Sequence, residues 1–143
     1  MAIRPGGRGD IAGTEHVVWR VPTGAPYVSS VVQYDGVVYL ASDAGVLQAA
    51  DAKTGERLFQ GRTGGIFSAA PIAGDGKVYF VSETGETIVL KAAREFEVLA
   101  RNELDARMLA SPVASNGQLF LRGDDEIFCV GASQREETSG LDR

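Results

Sequence analysis

The chain has 143 residues, of which 44% are hydrophobic and 23% charged, as is usual for one soluble domain. Its net charge is −5 at pH 7, and its lysines and arginines form no cluster, which argues against nucleic-acid binding. No apolar run reaches the roughly 20 residues of a membrane-spanning helix, so no membrane insertion is expected. The opening "MAIRPGGRGD" lacks the apolar stretch of a secretory signal, so the residues themselves indicate no compartment.

The chain contains few of the residues that bind metals or act as nucleophiles. Cys129 is the only cysteine and His16 the only histidine, which excludes an intrachain disulfide and any cluster of these ligands. The acidic group Asp124-Asp125-Glu126 is predicted to lie in a turn, where carboxylates stay solvated. We therefore predict no catalytic, metal-binding or cofactor-binding residue, and we expect Cys129, within "IFCV", to be a small buried side chain.

Residues 1–13 show no apolar periodicity and are predicted to be a flexible start that ends a preceding repeat. Beyond them a short phrase occurs three times, as "YDGVVYL", "GDGKVYF" and "SNGQLFL". The glycines of this phrase, Gly36, Gly76 and Gly117, recur at a nearly constant period of about 40 residues. Asp-Gly and Asn-Gly are the residue pairs that two-residue hairpin turns favour, so each phrase predicts two antiparallel strands.

Two further turns follow in the first complete unit, at "SDAG" and at "DAKTGE". Three tight turns within one such unit predict four antiparallel strands, near 28–33, 37–42, 46–50 and 56–60. The run "LKAAREFEVLA" contains good helix formers, but its place in the repeat predicts a turn and an outer strand. Small side chains, Ser29, Ser68 and Ser111, are predicted to lie on the innermost strand of each unit.

A four-stranded unit that repeats with this period is typical of a β-propeller blade. We predict an all-β partial propeller of about three such blades over residues 14–131, with repeats near 27–65, 66–106 and 107–131 and a disordered tail at 132–143. Trp19, Phe59 and Leu99 recur with the same period and are predicted to fill the gaps between neighbouring blades.

The segment "AADAKTGERLF" resembles the tryptophan-docking motif A-x-D-x-x-T-G-x-x-x-W of pyrroloquinoline-quinone-type, or quinoprotein-like, propellers. The matching residues are Ala49, Asp51, Thr54 and Gly55, while Phe59 replaces the tryptophan. Trp19 holds the same position one unit earlier, whereas the third copy has lost the motif. The last unit is similar to the C-terminal blade of exported bacterial proteins in this family, which includes the outer-membrane assembly lipoprotein B.

The resemblance implies a non-catalytic protein-interaction scaffold of the bacterial periplasm or cell envelope. Its cofactor would be pyrroloquinoline quinone, but none of the family's quinone or calcium ligands can be placed here by motif, so no cofactor is predicted. Two alternatives stay open: a fragment of a quinone-dependent dehydrogenase, and the sensor propeller of a kinase-linked protein.

Closed propellers have about four to eight blades, so three blades leave faces uncovered. The predicted partners are therefore the remaining blades of a longer protein, other proteins, or further copies of the chain.

Overall fold

A computed structural model describes residues 1–131, and all regular structure in that range is β-strand. The predicted tail at 132–143 lies outside the described residues. The strands are β1 (Ala2–Ile3), β2 (Val17–Trp19), β3 (Val32–Tyr34), β4 (Val37–Ala41), β5 (Val46–Asp51), β6 (Arg57–Arg62), β7 (Ile72–Gly74), β8 (Lys77–Val81), β9 (Glu86–Lys91), β10 (Val98–Glu103), β11 (Val113–Ser115), β12 (Gln118–Arg122) and β13 (Ile127–Gly131). No helix among the described residues is long and apolar enough to cross a membrane.

The strands form four antiparallel sheets in chain order. A short N-terminal pair joins β1 and β2, and it is followed by the first sheet, β3-β4-β5-β6, and the second sheet, β7-β8-β9-β10. The third sheet contains β11-β12-β13. Every connection within a sheet joins neighbouring strands, so each sheet is a meander, and the predicted partial propeller of antiparallel blades is confirmed.

The hairpin between the first two strands of each sheet depends on its turn residues. Asp35, Asp75 and Asn116 have φ values of 47°, 49° and 50°, and the glycine after each also has a positive φ. Two successive left-handed residues make the turn whose twist matches that of the flanking strands. Asp and Asn tolerate this region better than other side chains do, and glycine meets no steric penalty there.

The innermost strands begin later than the sequence predicts. The first was expected at 28–33, but it begins at Val32, and the predicted placement of the serines on these strands is wrong. The serines precede the strands; Ser68 donates to the carboxylate of Glu83 in its own unit, whereas Ser29 and Ser111 link neighbouring units. Ser29 donates a hydrogen bond to the carbonyl of Ala69 at 2.8 Å, and the amide of Ala70 donates to the Oγ of Ser111 at 3.0 Å. At Ser29 and Ser111, hydrogen bonds to the neighbouring unit thus take the place of strand pairing within the sheet.

The core lies between the sheets and not within any one of them. The larger cluster joins the first and second sheets through fully buried residues such as Tyr39, Leu47, Phe80 and Ile88, together with Phe67 from the connecting segment. A smaller cluster around Met108 and Leu121 joins the second and third sheets. Each sheet is therefore stabilised mainly by its neighbours, because a single sheet leaves its apolar faces in water.

Candidate interaction surfaces

The junction between the N-terminal pair and the first sheet is closed by Trp19. Its indole Nε1 donates a hydrogen bond to the carbonyl of Ala52 at 3.0 Å. The ring also lies against Gly55, whose φ is +73°, so closely that a Cβ there would come within 2.6 Å of the ring. The indole thus fills the gap between two sheets, and glycine at position 55 leaves it room.

The turn that receives the indole is held by Asp51. Its Oδ1 accepts hydrogen bonds from the amides of Lys53, at 2.9 Å, and Thr54, at 3.1 Å, while its Oδ2 accepts one from Arg94 at 3.0 Å. These donors, with the Lys53 amide the strongest and Arg94 next, lower the pKa of Asp51 below its usual 3.8. The amide of Glu56 donates to the hydroxyl of Thr54 at 3.2 Å and completes the turn.

Aromatic side chains close the junction between the first and second sheets. Phe59 is buried against Phe96, with the two ring centroids 5.5 Å apart, and against Tyr39 at 6.3 Å. Phe96 also covers Gly61, where an added Cβ would collide with the ring. The Tyr39 hydroxyl donates to the carbonyl of Ala93 at 3.2 Å, and burial, with the Asp35 carboxylate second, raises the pKa of this phenol.

Sequence reasoning missed Phe96 and placed too much weight on Leu99. The side chain of Leu99 is 45% exposed, so its predicted role between blades is wrong within the described residues. Phe96 lies in "KAAREFE", where the docking motif is lost. Only its position just before β10 could have indicated that its ring fills the gap between the sheets. The run itself forms the turn and outer strand that the repeat predicts.

The junction between the second and third sheets is an open groove of about 670 Å³, which we call the inter-sheet groove. Its apolar walls include Ile72, Tyr79, Val89, Leu104, Leu119 and Val130. Thr87 also lines it, and its buried Oγ1 has no hydrogen-bond partner among the residues that the structure describes. A buried hydroxyl without a partner costs free energy, so Thr87 is an unfavourable position in the wall of the groove.

The outer strand of the third sheet is exposed except at Phe128, which packs against the cluster around Met108 and Leu121. Ile127 is 71% and Val130 50% exposed, and Cys129 is exposed too, so the prediction that its thiol is buried is wrong. Burial at this position depends on a fourth strand and a following sheet, and the described part of the chain supplies neither. Ile127 is therefore an apolar side chain that the described residues leave exposed, whereas Val130 belongs to the wall of the inter-sheet groove.

The remaining polar candidates stay on the surface. Asp124, Asp125 and Glu126 are exposed in the turn before β13, and Arg107 lies 3.8 Å from Asp124 as an exposed ion pair. Residues 1–131 contain no group of three or more His, Cys, Asp or Glu residues placed to hold a metal ion. Within that range these side chains therefore belong to the solvated surface and not to a metal site.

Stacked four-stranded meanders joined by interlocking side chains define the class of protein: this is a segment of a β-propeller. Residues 11–68 match the family model described as outer membrane protein assembly factor BamB. The outer membrane protein assembly factor BamB of Yersinia pestis is 33% identical over 97 residues, which are 68% of this chain and 24% of that protein. The crystal structure of BamB from Moraxella catarrhalis superimposes with a TM-score of 0.61 at 15% identity, over 70% of this chain and 30% of that one.

The chain is accordingly a BamB-like protein built from repeats of the pyrroloquinoline-quinone type. It spans about a quarter of the curated relative that it matches and under a third of the solved structure. The expected resemblance is confirmed. Both sequence matches carry the name of an outer membrane protein assembly factor.

Proposed function

We propose that the chain is a non-catalytic scaffold that binds proteins during the assembly of outer membrane proteins in the bacterial cell envelope. The observation that carries this proposal is the inter-sheet groove, which is apolar, open and lined by one buried hydroxyl without a partner among the described residues. The process is proposed from its relatives, which are outer membrane protein assembly factors.

The groove suits an extended polypeptide. Such a segment carries apolar side chains for the walls formed by Tyr79 and Leu119, and backbone amides and carbonyls for the exposed side chains of Asn102 and Gln118, which also line the groove. An outer membrane protein before assembly presents such extended apolar segments, and we propose it as the partner class.

The blade stack also requires partners at its two ends. The N-terminal pair has only two strands and the third sheet only three among the described residues, whereas the sheets between them have four. We propose that further blades of the same protein, or further copies of the chain, cover these ends.

Binding can be measured with a labelled outer membrane protein that is diluted from urea into a solution of the chain. Fluorescence anisotropy should show saturable binding, and Leu119→Glu should weaken it at least tenfold by placing a charge in the groove. Val98→Glu, on the outer face of β10, is the control and should bind as the parent chain does. Absence of saturable binding, or equal affinity of the Leu119 variant, would contradict the proposal.

The enzymatic alternative has its own test. The chain is incubated with calcium and pyrroloquinoline quinone, and dye-linked oxidation of alcohols and sugars is followed. We expect no turnover, since residues 1–131 contain no group of three or more His, Cys, Asp or Glu residues placed to hold the calcium ion of such an enzyme. Tight quinone binding with turnover would replace the scaffold proposal by a dehydrogenase.

A further inference from the structure

The junction between the second and third sheets lacks the aromatic side chain that closes the junction before it. In the first sheet Phe59 pairs with Ala49, and in the second sheet the corresponding pair is Ala100 with Val89. Ala49 and Val89 are equivalent because each also pairs with the tyrosine of the preceding strand. The second sheet therefore has a methyl group where the first has a phenyl ring.

A longer turn before β10 causes this difference. In the first sheet the amide of Asp51 donates to the carbonyl of Glu56 across the turn, whereas in the second the amide of Lys91 donates to the carbonyl of Glu97. The turn in the second sheet is thus one residue longer. The extra residue moves Leu99, which the sequence period places at the junction, to an exposed position and brings the next residue into its place.

A neighbouring position on the same face also carries a smaller side chain. Leu47 pairs with Gly61 as Thr87 pairs with Asn102, so threonine takes the place of a fully buried leucine. Residues two apart on a strand share a face, and Ala100 therefore lies on the groove side together with Asn102. The second sheet thus brings less apolar side-chain volume to its junction, and the inter-sheet groove of about 670 Å³ remains.

The groove continues a packed interface and contains one aromatic ring that has no aromatic neighbour. Leu119 and Leu121 belong both to its walls and to the cluster that joins the second and third sheets. Tyr79 lines the groove, and its equivalent in the first sheet, Tyr39, packs against Phe59. Among the described residues Tyr79 takes part in no aromatic pair. The space beside Tyr79 is therefore one that holds a ring at the preceding junction.

We propose that the inter-sheet groove receives an aromatic side chain of the bound polypeptide, which lies against Tyr79 and over Ala100. This inference rests on the proposed function and specifies which side chain of the extended partner the groove selects. Paired aromatic rings gain free energy beyond that of the area they bury, so phenylalanine is preferred to leucine. Residues 132–143 contain no aromatic side chain and cannot supply a ring at this place.

The first test fills the groove from within. Ala100→Phe introduces the residue that the first sheet has at this place, and it should weaken binding of the labelled, unfolded outer membrane protein about tenfold, because the new ring occupies the space of the bound one. Leu99→Phe is the matched control, since it adds the same ring at the neighbouring exposed position, and it should bind as the parent chain does.

Urea unfolding establishes that each variant is folded, and Ala100→Leu replaces Ala100→Phe if the larger side chain prevents folding. Unchanged affinity of a folded Ala100 variant, while Leu119→Glu weakens binding, would overturn the inference and leave the proposed function in place. Absence of saturable binding by the parent chain would instead contradict the proposed function itself.

The second test varies the polypeptide. Labelled peptides of alternating threonine and valine carry phenylalanine, leucine or alanine at one central position, and fluorescence anisotropy compares their affinities for the full chain. The phenylalanine peptide should bind roughly two- to tenfold more tightly than the leucine peptide, and Ala100→Phe should abolish this preference. Equal affinities of these two peptides for the parent chain would show that the groove does not select an aromatic side chain.

Discussion

The indole of Trp19 packs against the backbone of Gly55 and so joins two neighbouring blades. The ring occupies the space that a Cβ at position 55 would need, and its Nε1 is bonded to the carbonyl of Ala52 in the same turn. One glycine therefore serves two purposes, since it allows a left-handed backbone at φ +73° and admits the neighbouring side chain.

Gly55→Ala should be more destabilising than the same change at Gly36. Both residues have a left-handed φ, which costs a Cβ about 1 to 2 kcal/mol, but nothing lies within 4 Å of the Cβ position at Gly36. The additional loss of stability in the Gly55 variant measures the free-energy cost of displacing the indole. Urea unfolding curves of the two variants give the difference, and equal midpoints would show that the ring moves aside freely.

Phe96→Ala should lower the free energy of unfolding by roughly 2 to 3 kcal/mol, somewhat less than for a fully buried phenylalanine. The variant loses the contact with Phe59 and uncovers Gly61, which weakens the joint between the first and second sheets. Leu99→Ala is the matched control, because that side chain is 45% exposed, and it should change stability little. Equal effects of the two changes would argue against Phe96 as the main contact.

Asp51 should titrate below the usual aspartate value of 3.8 in an NMR pH series, and so should Asp75, whose pKa is lowered by Lys77. Because its folded pKa lies below the unfolded value, Asp51 contributes stability that is present above the unfolded pKa, near 3.8, and is lost as pH falls through the folded pKa. Arg94→Gln should raise the pKa of Asp51 and leave that of Asp75 unchanged. A common shift of both carboxyls would assign the effect to overall charge.

Thr87→Val should raise the stability of the chain alone by about 1 kcal/mol, because it removes a buried hydroxyl that has no partner among the described residues. If that hydroxyl contacts a bound polypeptide, the same variant should bind the unfolded outer membrane protein more weakly. Thermal unfolding and anisotropy measure the two effects. Removal of the Ser82 hydroxyl is the control. Its Oγ accepts a hydrogen bond from the amide of Glu86 at 3.1 Å, so its loss should destabilise the chain.

The fold could be predicted from the sequence because propeller blades are built from local turns. Asp35-Gly36 and its two equivalents specify hairpins through backbone conformation alone, and that information lies within the turn. The packing between blades was harder to predict. Phe96 lies in a copy that has lost the docking motif, and the exposure of Cys129 depends on strands outside its own unit.

The contact between Trp19 and Gly55 joins one repeat to the next, and it affects how chains of this kind gain repeats. The N-terminal pair places Trp19 against the turn at Asp51 of the first sheet, and the first sheet in turn places Phe59 against Phe96 of the second unit. A gene duplication that inserts one whole unit therefore brings a matched donor and receiver with it. Propellers of different blade number can arise in this way without any new joint having to evolve.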